Sequence, residues 1–209
     1  PEGIGFHIHA AEGLADQHDS LEKSGKRVVH RLDQFGILRP ETILAHGVHL
    51  DENEINRLAQ TKSWLTHQPR SNMNNAVGVA PIERMLDAGV RVGMGNDGFS
   101  NTMWQEWKAA YLLHKSAHGD PQRMGGTKVT QIAVENNAKL LSEIFNLTIG
   151  EISEGAVADL IFVDYHPFTP ITAGNLPWHI LFGFQESMVT ATIVAGKVLM
   201  YQRALLTWD

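Results

Sequence analysis

The sequence predicts an α/β chain: four βα units, half of a (β/α)8 TIM-like barrel, followed by a β-rich tail. Three observations lead there. Short apolar runs alternate with helical patterns over the first two-thirds, the mark of βα units in a parallel sheet. The four candidate strands begin near residues 4, 42, 63 and 90, and a barrel of about 250 residues spends about 31 on each unit. From about Gly150 the pattern turns β-rich, which places a boundary near residues 145–155 and divides the chain into 1–148 and 149–209.

The elements follow in order. Ile4–Ala10 reads as a strand, and Pro1-Glu2-Gly3 runs into it with no Met, so the chain is expected to begin inside a domain. Ser20–Gln34 reads as one helix with a Val28, Val29, Leu32 stripe, stopped by Gly36. Thr42–Ala45 is the second strand. Asp51 with Glu54 three residues on forms a capping-box variant that starts a helix through Gln60. Trp64–Thr66 is the third strand, Pro81 opens the next helix and Gly89 closes it. Val90–Met94 is the fourth strand, before helices around Met103–His114 and Thr130–Leu141. The tail offers strands at Ala158–Val163, Thr190–Ala195 and Lys197–Tyr201, with Ala195-Gly196 as a tight hairpin turn. Half a barrel leaves two sheet edges unpaired, so this chain is not expected to stand alone as a soluble monomer.

Composition narrows the function. With 43% hydrophobic and 19% charged residues, the 209-residue chain can bury a core and is not a disordered segment. Its 17 basic against 23 acidic residues argue against a nucleic-acid or acidic-membrane surface. No apolar run approaches eighteen residues and no basic-then-apolar leader is present, so neither a membrane-spanning helix nor a signal peptide is expected. The absence of Cys excludes a thiolate site and agrees with a cytoplasmic setting. Eleven His stand out, seven of them in the first 67 positions. Imidazole with carboxylate suits zinc or iron.

Where the polar residues fall is more informative still. His9, His46, His67 and Asp97 each lie at the C-terminal end of one of the four successive strands. In parallel α/β folds those ends converge on one rim, where ligands bind. A lone strand-end His is more often a partnered structural residue; four in phase make a metal and acid–base cluster.

Those residues carry a resemblance. His9-Ala10-Ala11-Glu12, Ala45-His46-Gly47-Val48-His49-Leu50, His67-Gln68-Pro69-Arg70-Ser71-Asn72 and Gly93-Met94-Gly95-Asn96-Asp97-Gly98 resemble the amidohydrolase superfamily. The similar subgroup holds ring aminohydrolases, guanine and S-adenosylhomocysteine deaminases, and chlorohydrolases. The first block and Arg70–Asn75 are most similar to aminohydrolases associated with selenium metabolism. Gly150-Glu151-Ile152 and Gly155-Ala156-Val157-Ala158-Asp159-Leu160 resemble the passage from barrel to small β-sandwich. The resemblance implies one divalent metal ion, zinc before iron, held by His9, His46 and Asp97. It implies that the metal activates a water, that Asp97 takes the proton, that Glu12 protonates a ring nitrogen, and that His67 steadies the attacking oxygen. The implied activity is hydrolytic deamination of an amino-substituted heterocycle, a small-molecule substrate.

The family's first strand supplies an H-x-H pair of further ligands. His7 and His9 also form an H-x-H, but the following Ala10-Ala11-Glu12 and the half-barrel arithmetic place them on the fifth strand. The chain is therefore expected to be the C-terminal portion of an enzyme that needs the missing N-terminal half of its own barrel; a homo-oligomer is compatible. His7 is expected to be a packing residue one layer below the rim. Chlorohydrolase or cyclic amide hydrolase chemistry is the alternative within the fold, and an inactive, truncated metal-binding fragment is the alternative outside it. Glu12 has a second reading as a helix anchor, Arg70 as a structural ion pair, and Gly95 and Gly98 as room for close backbone approach.

Overall fold

The computed structural model describes residues 4–207, so the expectation for Pro1-Glu2-Gly3 lies outside the described residues. Contacts divide the chain into two compact units, one ending at Met124 and the other starting at Gly125.

The first unit carries β1 (His7–Ala10), β2 (Ile43–His46), β3 (Trp64–His67) and β4 (Arg91–Met94) in one parallel sheet of that order. Register pairs His9 with Ala45, Ala45 with Thr66 and Thr66 with Gly93, which brings the C-terminal strand ends to one rim. The central strand β3 is buried along its whole length, as a parallel strand covered on both faces must be. Leu44, Leu65 and Val92 form the core with Ile55 and Leu58 of α3 (Glu52–Thr61) and Ile82 and Met85 of α5 (Ile82–Asp87). Among the described residues β1 and β4 each pair on one side only. That edge position leaves His7 exposed instead of buried as a packing residue.

The region expected as one helix over 20–34 is two, α1 (Leu14–Ser24) and α2 (Val28–Gln34). Gly25 adopts φ +66°, a left-handed helix end, and the hydroxyls of Ser20 and Ser24 both donate to the Lys26 carbonyl. The capping box before α3 forms: Glu54 N–H donates to Asp51 Oδ1 at 2.9 Å and Asp51 N–H to Glu54 Oε2 at 3.1 Å. The fully buried Glu54 carboxylate also accepts from Gln17 Nε2, Arg27 Nε and Val29 N–H. One satisfied buried charge thereby ties three helices together. α4 (Pro69–Asn74) follows β3, Pro81 directly precedes α5, and α6 (Met103–His118) follows β4.

In the second unit α7 (Gly126–Thr130) passes through a π-helical turn into α8 (Asn136–Phe145). An antiparallel sheet follows, β5 (Leu160–Val163), β6 (Val189–Val194), β7 (Lys197–Tyr201) and β8 (Ala204–Leu205), with α9 (Leu176–Gly183) between β5 and β6. The expected Ala195-Gly196 turn has φ of +47° and +77°, the geometry that suits the twist of a two-residue hairpin. Asp159 Oδ1 accepts the Ala195 N–H at 2.6 Å and secures it. Among the described residues no helix is long and apolar enough to cross a membrane.

Candidate metal and acid–base site

The rim formed by the strand ends gathers four of the expected residues. His46 sits at the end of β2, fully buried, with φ +74°. Asp97, three residues past β4, has φ +53°. Left-handed backbone at non-glycine residues costs roughly 1–2 kcal/mol each and concentrates where geometry serves a site. His46 Nε2 lies 3.2 Å from His9 Nδ1, 3.6 Å from Glu12 Oε2 and 3.9 Å from Asp97 Oδ2. Ligand atoms of His9, Glu12 and His46 fall within 4.8 Å of one another.

The protonation of His46 follows from its other side. Nδ1 contacts Asn72 Oδ1 at 2.9 Å, and an amide oxygen can only accept, so Nδ1 carries the proton. In the neutral ring Nε2 then keeps its lone pair, which faces a nitrogen and two carboxylate oxygens. Such a donor set fits a divalent cation. Distance agrees: two nitrogens on a tetrahedral zinc stand about 3.3 Å apart for bonds of about 2.0–2.1 Å, against 3.2 Å here.

Glu12 and Asp16 divide two tasks. Asp16 Oδ2 accepts the backbone N–H of Glu12 at 3.0 Å and of Gly13 at 3.4 Å, closing the start of α1. The Glu12 carboxylate makes no such cap. Its Oε1 accepts from Asn75 Nδ2 at 2.9 Å and its Oε2 faces His46.

Asp97 Oδ2 accepts from the Ser71 hydroxyl at 2.6 Å, and that bond holds its carboxyl below the usual carboxylate range. The loop that bears Asp97 is clamped by Arg70. Its Nε donates to the buried Glu106 at 2.6 Å, its other nitrogens to Gln105 Oε1 and to Ser100 at Oγ and the carbonyl, and the guanidinium lies 5.1 Å over the Phe99 ring. Arg70 is thus a structural ion pair. At Gly95 a Cβ would come within 3.0 Å of Gln68 Nε2, so close approach explains this glycine; Gly98 has open space and does not share the reason.

His67, fully buried at the end of β3, turns to His114 of α6, with Nε2 to Nε2 at 3.3 Å. Burial pushes the His67 imidazole well below its ordinary range, with His114 and His46 adding to it. Burial lowers His114 to about 4 against the pull of Glu83. Both rings are neutral at pH 7. His114, Ser71, Asn72 and Asn75 were not among the expected site residues; the signal for three of them was the dense polar run 68–75 directly after a rim His.

The chain is similar to proteins of known family. The Amidohydrolase family description matches residues 2–199. The chain is 35% identical over its whole length to a 5'-deoxyadenosine deaminase of Methanosarcina acetivorans, covering 48% of that protein. It is 38% identical over 95% of its length to a 5-methylthioadenosine/S-adenosylhomocysteine deaminase of Thermococcus onnurineus, covering 47% of that protein. An adenosine deaminase from Xanthomonas campestris, solved with bound zinc, superposes with a TM-score of 0.85 at 26% identity, over 99% of this chain and 47% of that one. An atrazine chlorohydrolase from Arthrobacter aurescens shares the fold at a TM-score of 0.82 and 21% identity, over 100% of this chain and 46% of that one. The chain spans about half the length of the curated relatives it matches.

Proposed function

The chain belongs to the amidohydrolase family, and from that premise we propose that it is half of a (β/α)8 metal-dependent deaminase acting on an amino-substituted purine nucleoside. The four parallel strands with two open edges are four of the eight that close such a barrel, and the antiparallel sheet is part of its sandwich lobe. His9, His46 and Asp97 would hold one divalent ion, zinc by the company of its relatives. Held there, such an ion would lower the pKa of a water toward neutrality.

The chain's own residues do the rest. Asp97, kept ionised by Ser71, receives the water's proton and returns it to the departing amino group. Glu12, freed from capping duty by Asp16 and aimed by Asn75, protonates the ring nitrogen so that the neighbouring carbon accepts oxygen. The carbon–oxygen bond forms, the carbon–nitrogen bond breaks, ammonia leaves, and the proton of the new hydroxyl returns to Glu12 as the carbonyl forms. With its Nε2 turned to His114, the neutral, buried His67 would have only Nδ1, unpartnered among the described residues, to offer the attacking oxygen. The observation that carries this reading is His46 Nε2 set between His9, Glu12 and Asp97. Relatives named as deaminases at 35% and 38% identity support the nucleoside substrate.

Glu12→Gln in the whole protein tests it. The variant should keep its metal content and melting temperature and lose at least about 10²-fold in kcat for ammonia release, the worth of a positioned general acid. Unchanged turnover with a lowered Tm would return Glu12 to a structural role. Chloride release from a chlorotriazine without ammonia release from 5'-deoxyadenosine would favour the chlorohydrolase alternative.

A further inference from the structure

One eight-residue stretch, 68–75, reaches every charged or ligating side chain around the His46 lone pair except His9. Gln68 Oε1 accepts the backbone N–H of His46 at 2.9 Å, Ser71 donates to Asp97, Asn72 meets His46 Nδ1, and Asn75 donates to Glu12. Asn72 is the most telling member. It is completely buried, yet among the described residues its Nδ2 has no hydrogen-bond partner. A buried unused donor costs stability, and a leucine of similar size would fill the space without that cost. The oxygen is the part of the side chain that is in use. Its one contact is the ring nitrogen that decides which face of the imidazole carries the proton.

We propose that Asn72 is a positioning residue that locks His46 in the Nδ1–H form, so that the Nε2 lone pair stays aimed at His9, Glu12 and Asp97. In the neutral, metal-free ring with Nδ1–H committed to Asn72, the 3.2 Å contact between the two imidazoles has His9 Nδ1 as donor and His46 Nε2 as acceptor, and a cation would displace that proton. Without Asn72 the proton is free to sit on Nε2 and donate to His9 instead, which turns the ligand face into a donor. The tautomer stands on geometry alone; its consequence for metal affinity rests on the metal-dependent reading above.

The two parts are separable by experiment. Long-range proton–nitrogen correlation spectra of the metal-free chain at about pH 8, above the ordinary imidazole range, report which His46 nitrogen is protonated. The wild type should show Nδ1–H, Asn72→Leu should move the proton to Nε2, and Asn72→Asp, which keeps an acceptor oxygen, should restore Nδ1–H. Titration with zinc alone should then show at least about a 10-fold loss of affinity in Asn72→Leu and recovery in Asn72→Asp. Nε2–H in the wild type, or Nδ1–H retained in Asn72→Leu, would overturn the proposal. Asn72→Ala replaces the leucine variant if that one does not fold. A wild type that shows Nδ1–H but binds no zinc would uphold the tautomer lock and count against the metal site.

Discussion

Glu12 and Asp16 show how little separates a reactive carboxylate from a structural one. Both open α1, and one turn of helix decides that Asp16 takes the backbone N–H groups while Glu12 faces His46. Asp16→Ala should therefore cost about 0.5–2 kcal/mol of stability, the worth of a lost cap, and leave kcat unchanged, the mirror image of Glu12→Gln. Urea unfolding with a turnover assay checks it; a drop in kcat matching that of Glu12→Gln would erase the distinction. His114 yields a second test. Its pKa falls to about 4 in the fold from an ordinary 6.5, so the unfolded chain takes up the proton first as pH drops. The stability that neutral His114 contributes is complete above about pH 6.5 and is lost progressively toward pH 4, roughly 3 kcal/mol in all. His114→Gln should flatten that part of the pH–stability curve relative to the wild type, and parallel curves would refute it. That His9, His46 and Asp97 fall near one another was legible because period and rim position depend on local sequence, although Asp97 lies three residues past β4 and not at its end. His114 was not, because its meaning comes from α6 returning 47 residues later to meet His67.

At the scale of elements, the short strands and the α3 capping box were readable from alternation and from Asp51 with Glu54. The break at Gly25 was hidden by the continuous stripe that Val28, Val29 and Leu32 suggest, and α9 by an apolar run in which His179 is the one polar side chain. The clamp between α4 and α6 was equally invisible, since Arg70 and Glu106 are 36 residues apart. Its energetics are testable. Glu106 is fully buried, and burial already raises its carboxyl against the opposing pull of Arg70. Arg70→Leu strands that charge and should cost about 3–5 kcal/mol, whereas the double variant Arg70→Leu/Glu106→Leu should recover much of the loss. Equal destabilisation of single and double variants in urea would show that the stranded charge is not the cause.

At the largest scale, the parallel sheet of the first unit ends, among the described residues, in two single-sided strands, and Ile4 and Phe6 beside β1 are 55% and 42% exposed. Open edges with apolar flanks recruit further strands. The 209-residue chain by itself should associate, its sedimentation weight rising with concentration; a monomer at every concentration would show the edges to be inert. Nothing local in the sequence reveals such edges; the count of βα units against a full barrel did. The helix α4 has a different reach. Six residues are too few to stay helical unaided, so it is ordered by the very groups it orders. Support and supported form one cooperative unit, and inheritance must treat them so: a change at Ser71, Asn72 or Asn75 is tolerated only alongside a matching change at Asp97, His46 or Glu12, and these positions should drift together through descent as a set.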